Sequence, residues 1–242
     1  MKPKLVSIEN YARELQNHCS ELSKVKVQRL HDFPTLKVDS LTDKVFAGFD
    51  LSLTSSGVAF IIQDGISVGL ITANIKPKPK MHELDRLVYF SSVFDRLAFC
   101  LRTSFFGKQP FVSVEGYAMG VRGGRSFSIG EQGGLFRHKM WLNDFPLTVI
   151  APTSLKKFIS GEGFADKALI MKKLYTKFYG IDVDDDDQAD ASAIALVNLM
   201  VHNHENNFVF TRKLALTEYQ KDCLKDKKGK TTKGIQLFTP DK

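Results

Sequence analysis

The sequence predicts an α/β fold: a mixed five-stranded sheet, opened by three antiparallel strands and flanked by helices on both faces. Three short apolar runs follow one another with only turn residues between them. Helical periodicity and further apolar runs then alternate along the rest of the chain. The 242 residues are 43% hydrophobic and 25% charged, enough for one large core, which excludes disordered, collagen-like and low-complexity chains.

Residues 1–44 read as an N-terminal extension or helical arm. Tyr11, Leu15, Cys19 and Leu22 fall at helical spacing, and a polar stretch through Pro34 and Ser40 breaks the pattern. The main domain spans 45–210. It opens with Val45–Asp50 (VFAGFD), apolar enough for a strand buried on both faces. The turn LSLTSSG leads to a second strand, Gly57–Ile62, and the hairpin signal Gln63-Asp64-Gly65 to a third, Ile66–Ala73. A helix is predicted over Met81–Thr103, where Leu84, Leu87, Val88, Phe94, Ala98 and Leu101 share one face. Phe111–Gly116 is a strand ending in a carboxylate, and a glycine-rich loop leads from it to a helix over Ile129–Leu142. LTVIAP is another strand, and helices follow over Ala165–Tyr179 and Asp187–His202. Residues 211–242 form a Lys-rich tail with a short apolar exit at Ile235–Phe238.

Lys plus Arg is 34 against 27 for Asp plus Glu, a net charge of +7, which favours an anionic partner, nucleic acid first. Cys19, Cys100 and Cys223 are widely separated and odd in number, which speaks against a disulfide scaffold and for a reducing, cytoplasmic setting. No C-x-x-C or His/Cys cluster suggests zinc. No apolar run approaches the roughly eighteen residues of a membrane span, so no membrane partner is expected.

The chemistry lies in the carboxylates. Asp50 and Glu115 each end an otherwise apolar strand, where a charge is costly unless it is paired or binds a metal. If those strands are neighbours, both acids share one sheet edge. The third element is DDDDQADASAIALVNLMV. Asp184, Asp185 and Asp186 read as a solvated acidic start to a helix, favoured by its dipole. Asp187 and Asp190, three apart, project from one face of its first turn, while Ala193, Ile194, Leu196, Val197 and Met200 turn to the sheet. Four converging carboxylates repel unless a cation compensates. Hard oxygen ligands suit Mg²⁺, or Mn²⁺ in its place. Two such ions about 4 Å apart can activate a water and stabilise the leaving 3′ oxygen of a phosphodiester. Arg122 and Arg125, in the glycine-rich loop, and Lys156 and Lys157, at a helix start after APTS, are candidate phosphate contacts. Trp141 is expected in the core.

At these residues the chain resembles a known family. GFDLSLTSSGVAFI, VEGYAMG, GEQGGLFRHKM and DQADASAIAL together look like the RuvC-type Holliday junction resolvases, over about Val45 to His202. The resemblance implies a ribonuclease-H-like fold and a homodimer that cuts four-way DNA junctions with divalent metal in recombination and repair. It matches Asp50, Glu115, Asp187 and Asp190 to the catalytic, metal-binding acids, and Lys167 (in SGEGFADKALI) to a lysine that approaches the DNA backbone. The family carries an aromatic wedge three residues after the second acid, where this chain has Ala118; Tyr117 stands one position earlier as a substitute. A twofold dimer could form through either Met81–Thr103 or Ile129–Leu142.

Three other readings compete: a flap or fork nuclease, a DNA-binding protein without catalysis, and an ATP-binding fold of the actin and Hsp70 type. The last needs two lobes and a second phosphate loop, which the sequence lacks, so no nucleotide cofactor is expected.

Overall fold

A computed structural model describes residues 7–30, 33, 44–64, 67–103, 108–117, 125–202, 216–223 and 234–240. Helix α1 (Ile8–His18) and strand β1 (Leu22–Arg29) precede the antiparallel strands β2 (Lys44–Asp50), β3 (Ser56–Asp64) and β4 (Ser67–Ile75). Helix α2 (Glu83–Thr103), β5 (Gln109–Glu115), α3 (Arg125–Leu142) and β6 (Leu147–Ile150) follow. The chain continues through α4 (Pro152–Ser160), α5 (Lys167–Lys177), α6 (Asp186–His202), α7 (Glu218–Cys223) and β7 (Ile235–Phe238).

The sheet is mixed, in the order β1-β4-β3-β2-β5-β6-β7. Strands β2, β3 and β4 pair antiparallel, as expected, while β5 runs parallel to β2 and β6 parallel to β5. The expected count of five strands is corrected to seven. Strand β1 pairs antiparallel with β4, and β7 antiparallel with β6. Both are edge strands, so neither carries the apolar run that marks a central strand. In β1, Lys24, Lys26, Gln28 and Arg29 interrupt the hydrophobics; in β7 Ile235 alone is buried.

Alternation along β2 divides the core. Val45, Ala47 and Phe49 face α1, α2 and α3, whereas Phe46 faces α4, α5 and α6. Helices therefore cover both faces. Helix α6 is buried nearly all round, with Ala189, Ala191, Ala193 and Ala195 among its hidden residues. Those small side chains let its backbone approach the sheet where β2 and β3 carry glycine. A Cβ on Gly48 would overlap the carbonyl of Ala191 and the amide of Ala195, and one on Gly57 would overlap the carbonyl of Asp187. Gly57 pairs directly with Asp50 across β2 and β3, so the first turn of α6 sits over the end of β2. Among the described residues no helix is long and apolar enough to cross a membrane.

Candidate active site

Parallel pairing brings two of the acids to one end of the sheet. Phe49 is registered with Val114, so Asp50 and Glu115 are the next residues of adjacent strands that finish side by side. The turn after Asp50 is fixed by Ser56, whose buried hydroxyl accepts from the Ser52 amide and donates to the Ser52 carbonyl, both at 3.0 Å. Gln132 of α3 also donates to that carbonyl at 3.3 Å.

Asp187 and Asp190 arrive from above on the first turn of α6. The electrostatics record the convergence. Burial, then the charges of Glu115, Asp190 and Asp187, hold the Asp50 carboxyl well above the usual carboxylate range; Lys167 opposes them. Burial and Asp190 push Glu115 up to about 7, against Lys156 and Lys167. Asp190 is raised by burial, with Lys167 and Lys156 opposing and Asp186 and Asp187 assisting. All four predicted acids thus meet in one field, brought together from three separate segments of the chain.

Lys167 opens α5 and reaches across to α6. Its ammonium pairs with Asp186 and lies 4.0 Å from Asp190. Burial disfavours its charge, but Asp186, Asp190 and Asp50 hold its pKa above the ordinary value. Lys156 of α4 acts on Glu115 and Asp190, while the ammonium of Lys157 lies over the ring of Tyr219, 4.5 Å from its centroid.

The acidic run before Asp187 is not simply solvated, as its composition suggested. Lys26 bridges Asp182 at 3.0 Å and Asp184 at 2.9 Å, and Lys24 bridges Asp185 at 2.8 Å. Asp185 also accepts from the Gln188 amide (3.1 Å), capping the helix, and from Asn74 (3.2 Å). The physical reason is the unexpected edge strand β1, which lies beside β4 and aims its lysines at this run. Gln188, fully buried between Asp187 and Ala189, accepts from Thr72 (2.9 Å) and donates to Asn74 (2.8 Å) and to the Lys24 carbonyl (3.0 Å). Sequence reasoning missed Gln188, Lys24 and Lys26. The signal was present as a Lys-x-Lys strand complementing DVDDDD.

Tyr117 follows Glu115 by two residues and is half exposed. The guanidinium of Arg137 stacks over its ring at 4.1 Å and donates to the Glu115 carbonyl at 3.4 Å. The Tyr117 hydroxyl donates to the Gly130 carbonyl at 3.4 Å. Trp141 is not in the core: it is 43% exposed and lines a cavity of about 530 Å³ with Tyr117, Arg137, His138 and Phe238. Arg125 is the first residue of α3. Arg122 and Ala118 lie outside the described residues.

Whether these acids suit a divalent cation is answered by donor chemistry. Among the described residues no three His, Cys, Asp or Glu side chains form a ready-made ion-binding group. The donors are nevertheless all hard carboxylate oxygens, and at Asp50 and Glu115 burial and neighbouring carboxylates outweigh the lysines that oppose them. A cluster of carboxyl groups whose ionised form is disfavoured in this way is a donor set that a hard dication fits.

A mixed sheet of this order, with acids ending β2 and β5 and a helix laid over them, is the ribonuclease-H-like fold. The chain is similar to Thermus thermophilus RuvC in complex with Holliday junction substrate, at 22% identity and a TM-score of 0.51, over 63% of this chain and 91% of that one. It is also similar to a second Thermus thermophilus RuvC structure (19% identity, TM-score 0.49, 71% and 97% covered). A further likeness is to the yeast mitochondrial Holliday junction resolvase Ydc2 (14% identity, TM-score 0.42, 76% and 90% covered). No family model and no curated protein matches the sequence. At 22% identity, the likeness to the junction-bound RuvC shows the fold alone.

Proposed function

We propose that this chain is a metal-dependent, structure-selective DNA endonuclease that resolves four-way junctions. The observation that supports the reading is the meeting of Asp50, Glu115, Asp187 and Asp190 at one sheet end, where burial and neighbouring carboxylates raise the pKa of Asp50 and Glu115 despite the nearby lysines. A fold shared with a RuvC bound to Holliday junction substrate supports the choice of substrate.

In this reading the four acids hold two Mg²⁺, with Mn²⁺ able to substitute. The ions would activate a water for attack at phosphorus and stabilise the leaving 3′ oxygen. The protein's own part is positional. Strands β2 and β5 set Asp50 and Glu115 side by side, and α6 closes over them with Asp187 and Asp190. Lys167 and Lys156 stand where the backbone phosphate approaches and draw it against the acids. Arg122, Arg125, Tyr117 and Lys157 are the further candidates for contact with the DNA. Cutting a junction symmetrically needs two such sites, so the active species is a twofold homodimer.

The test is cleavage of labelled four-way junction, flap, fork and linear duplex in Mg²⁺, with the breaks mapped. Paired symmetric nicks in the junction, with 5′ phosphate and 3′ hydroxyl ends, are expected, and Asp50→Asn abolishes them while junction binding persists. Cleavage confined to flaps or forks moves the substrate assignment. Full turnover by Asp50→Asn removes the mechanism.

A further inference from the structure

Phe164 is 95% exposed, the most exposed large hydrophobic side chain among the described residues. A phenyl ring left in water forgoes the stabilisation that burial would supply. The loop that carries it is nonetheless well tied. Gly161, at φ 93°, ends α4, and its amide donates to the Lys157 carbonyl at 3.0 Å. The Ser160 hydroxyl accepts from the Glu162 amide at 3.0 Å and donates to the Lys156 carbonyl at 2.7 Å. Beyond the ring, Ala165 is buried and Asp166 caps α5 by accepting from the Leu169 amide at 2.7 Å. The chain is anchored on both sides of a side chain that it holds outward.

The position matters as much as the exposure. Lys167, which stands among the acids, follows Phe164 by three residues, a span of about 11 Å at most in extended chain. The loop that carries the ring therefore leads directly into the helix start whose lysine pairs with Asp186 and lies 4.0 Å from Asp190. Lys156, on the helix that leads into this loop, acts on Glu115 and Asp190. Positive charge beside a free aromatic face is the combination that holds single-stranded nucleic acid, the charge taking the backbone and the ring taking a base. Tyr117, the aromatic residue nearest to Glu115 in the chain, is already engaged by Arg137 and Gly130.

We propose that Phe164 is a base-stacking residue: its ring takes an unstacked nucleobase of the strand whose phosphate reaches the acids. This rests on the reading of the chain as a DNA nuclease. The stacked base would let the enzyme favour DNA that is open next to the break, because a base kept in its duplex stack cannot turn onto the ring.

The experiment places 2-aminopurine singly at each position around the branch point of a four-way junction and follows its fluorescence on binding in EDTA, where nothing is cut. Wild-type protein is compared with Phe164→Ala, Phe164→Leu and Phe164→Trp. The ring is solvent-facing, so all three fold. A fluorescence change at one position is expected with wild type and Phe164→Trp, and its loss with Phe164→Ala and Phe164→Leu. Single-turnover cleavage in Mg²⁺ should fall in step, by about five- to a hundredfold for the alanine variant. An alanine variant equal to wild type in fluorescence overturns the proposal, as does a leucine variant that retains the signal. The fluorescence needs no chemistry, so a wild-type protein that cuts no branched DNA refutes the nuclease reading and leaves the stacking contact to be judged by its own signal.

Discussion

Gln188 donates from its side-chain amide to the main-chain carbonyl of Lys24, 3.0 Å away across 164 positions of sequence. This bond ties the helix that carries Asp187 and Asp190 to the edge strand β1. Lys24 has a positive φ of 50° and sits where the β1–β4 register shifts between Ser23 and Lys26. The irregularity turns a carbonyl that regular pairing would commit to the ladder toward Gln188 instead. The acids of α6 are therefore positioned from two sides: by glycines beneath the helix, and by a buried amide at its edge.

Replacing Gln188 by leucine keeps the volume and removes the hydrogen bonds. Thr72, Asn74 and the Lys24 carbonyl then lose buried partners, and leaving such groups unsatisfied costs about 1–3 kcal/mol each at most. Urea unfolding of Gln188→Leu should show a loss of a few kcal/mol in total on that scale. Cleavage under conditions where the variant is still folded should fall as well, because Asp187 is its neighbour. A stable variant with unchanged cleavage would mean that α6 is held by its apolar face alone.

Gly57→Ala tests the other side. The added methyl would overlap the carbonyl of Asp187, and the obstacle is backbone, so the helix itself must lift. Overpacking of this kind costs about 1–3 kcal/mol. The expected signature is divalent-ion binding lost more completely than stability, read by Mg²⁺-dependent thermal shift beside the thermal midpoint in EDTA. Unaltered Mg²⁺ response in a folded Gly57→Ala protein would separate the acid site from the contact between α6 and β3.

How far the sequence announced this arrangement follows from which interactions are local. Central strands β2, β3 and β5 were legible because burial on both faces leaves an apolar run, and each acid stood out against one. The expected face of α2 held only in its second half: Phe94, Ala98 and Leu101 are buried with Phe90, Val93, Leu97 and Cys100, whereas Leu84 and Val88 are exposed, because the first turns of the helix run past the edge of the core. Helix α3 begins at Arg125, before the expected Ile129, because Gly130, Gly133 and Gly134 blur its periodicity where Tyr117 packs against them. Strand β1 was hidden by its lysines, and the partners of those lysines lie some 160 positions away. A contact at that separation leaves no pattern in any local window. The four acids were therefore readable as candidates, while the clamp that holds α6 over them was not.

Acid stability should depend on the metal. The folded pKa of Glu115 is raised from 4.5 to about 7, and Asp50 is raised too. Each therefore binds its proton more tightly when folded, so the stabilisation is complete below the ordinary carboxylate range and is lost as pH rises through the folded value. In EDTA the thermal midpoint should fall between about pH 4.5 and pH 7, and Glu115→Gln should flatten that slope. Excess Mg²⁺ should restore stability at pH 8 and add little at pH 5, where protons already occupy the oxygens. An EDTA profile that rises across this window would show that the acids are better compensated than their surroundings imply.

Lys167 offers the sharpest division between catalysis and binding. Its ammonium opposes the acids at Asp50, Glu115 and Asp190 alike, and the proposed function gives it a backbone phosphate to hold. Lys167→Met removes the charge and keeps most of the stem. Without it the carboxylates repel more, so the metal-free protein should be less stable at pH 8 than wild type, and Mg²⁺ should recover the difference. On DNA the loss of one phosphate contact should lower the slope of log affinity against log salt by about 0.9. Fluorescence anisotropy of a labelled junction across a salt series measures this directly. If affinity falls with an unchanged slope, Lys167 acts through the geometry of Asp186 and Asp190 rather than by touching the backbone, and the phosphate contact belongs to Lys156.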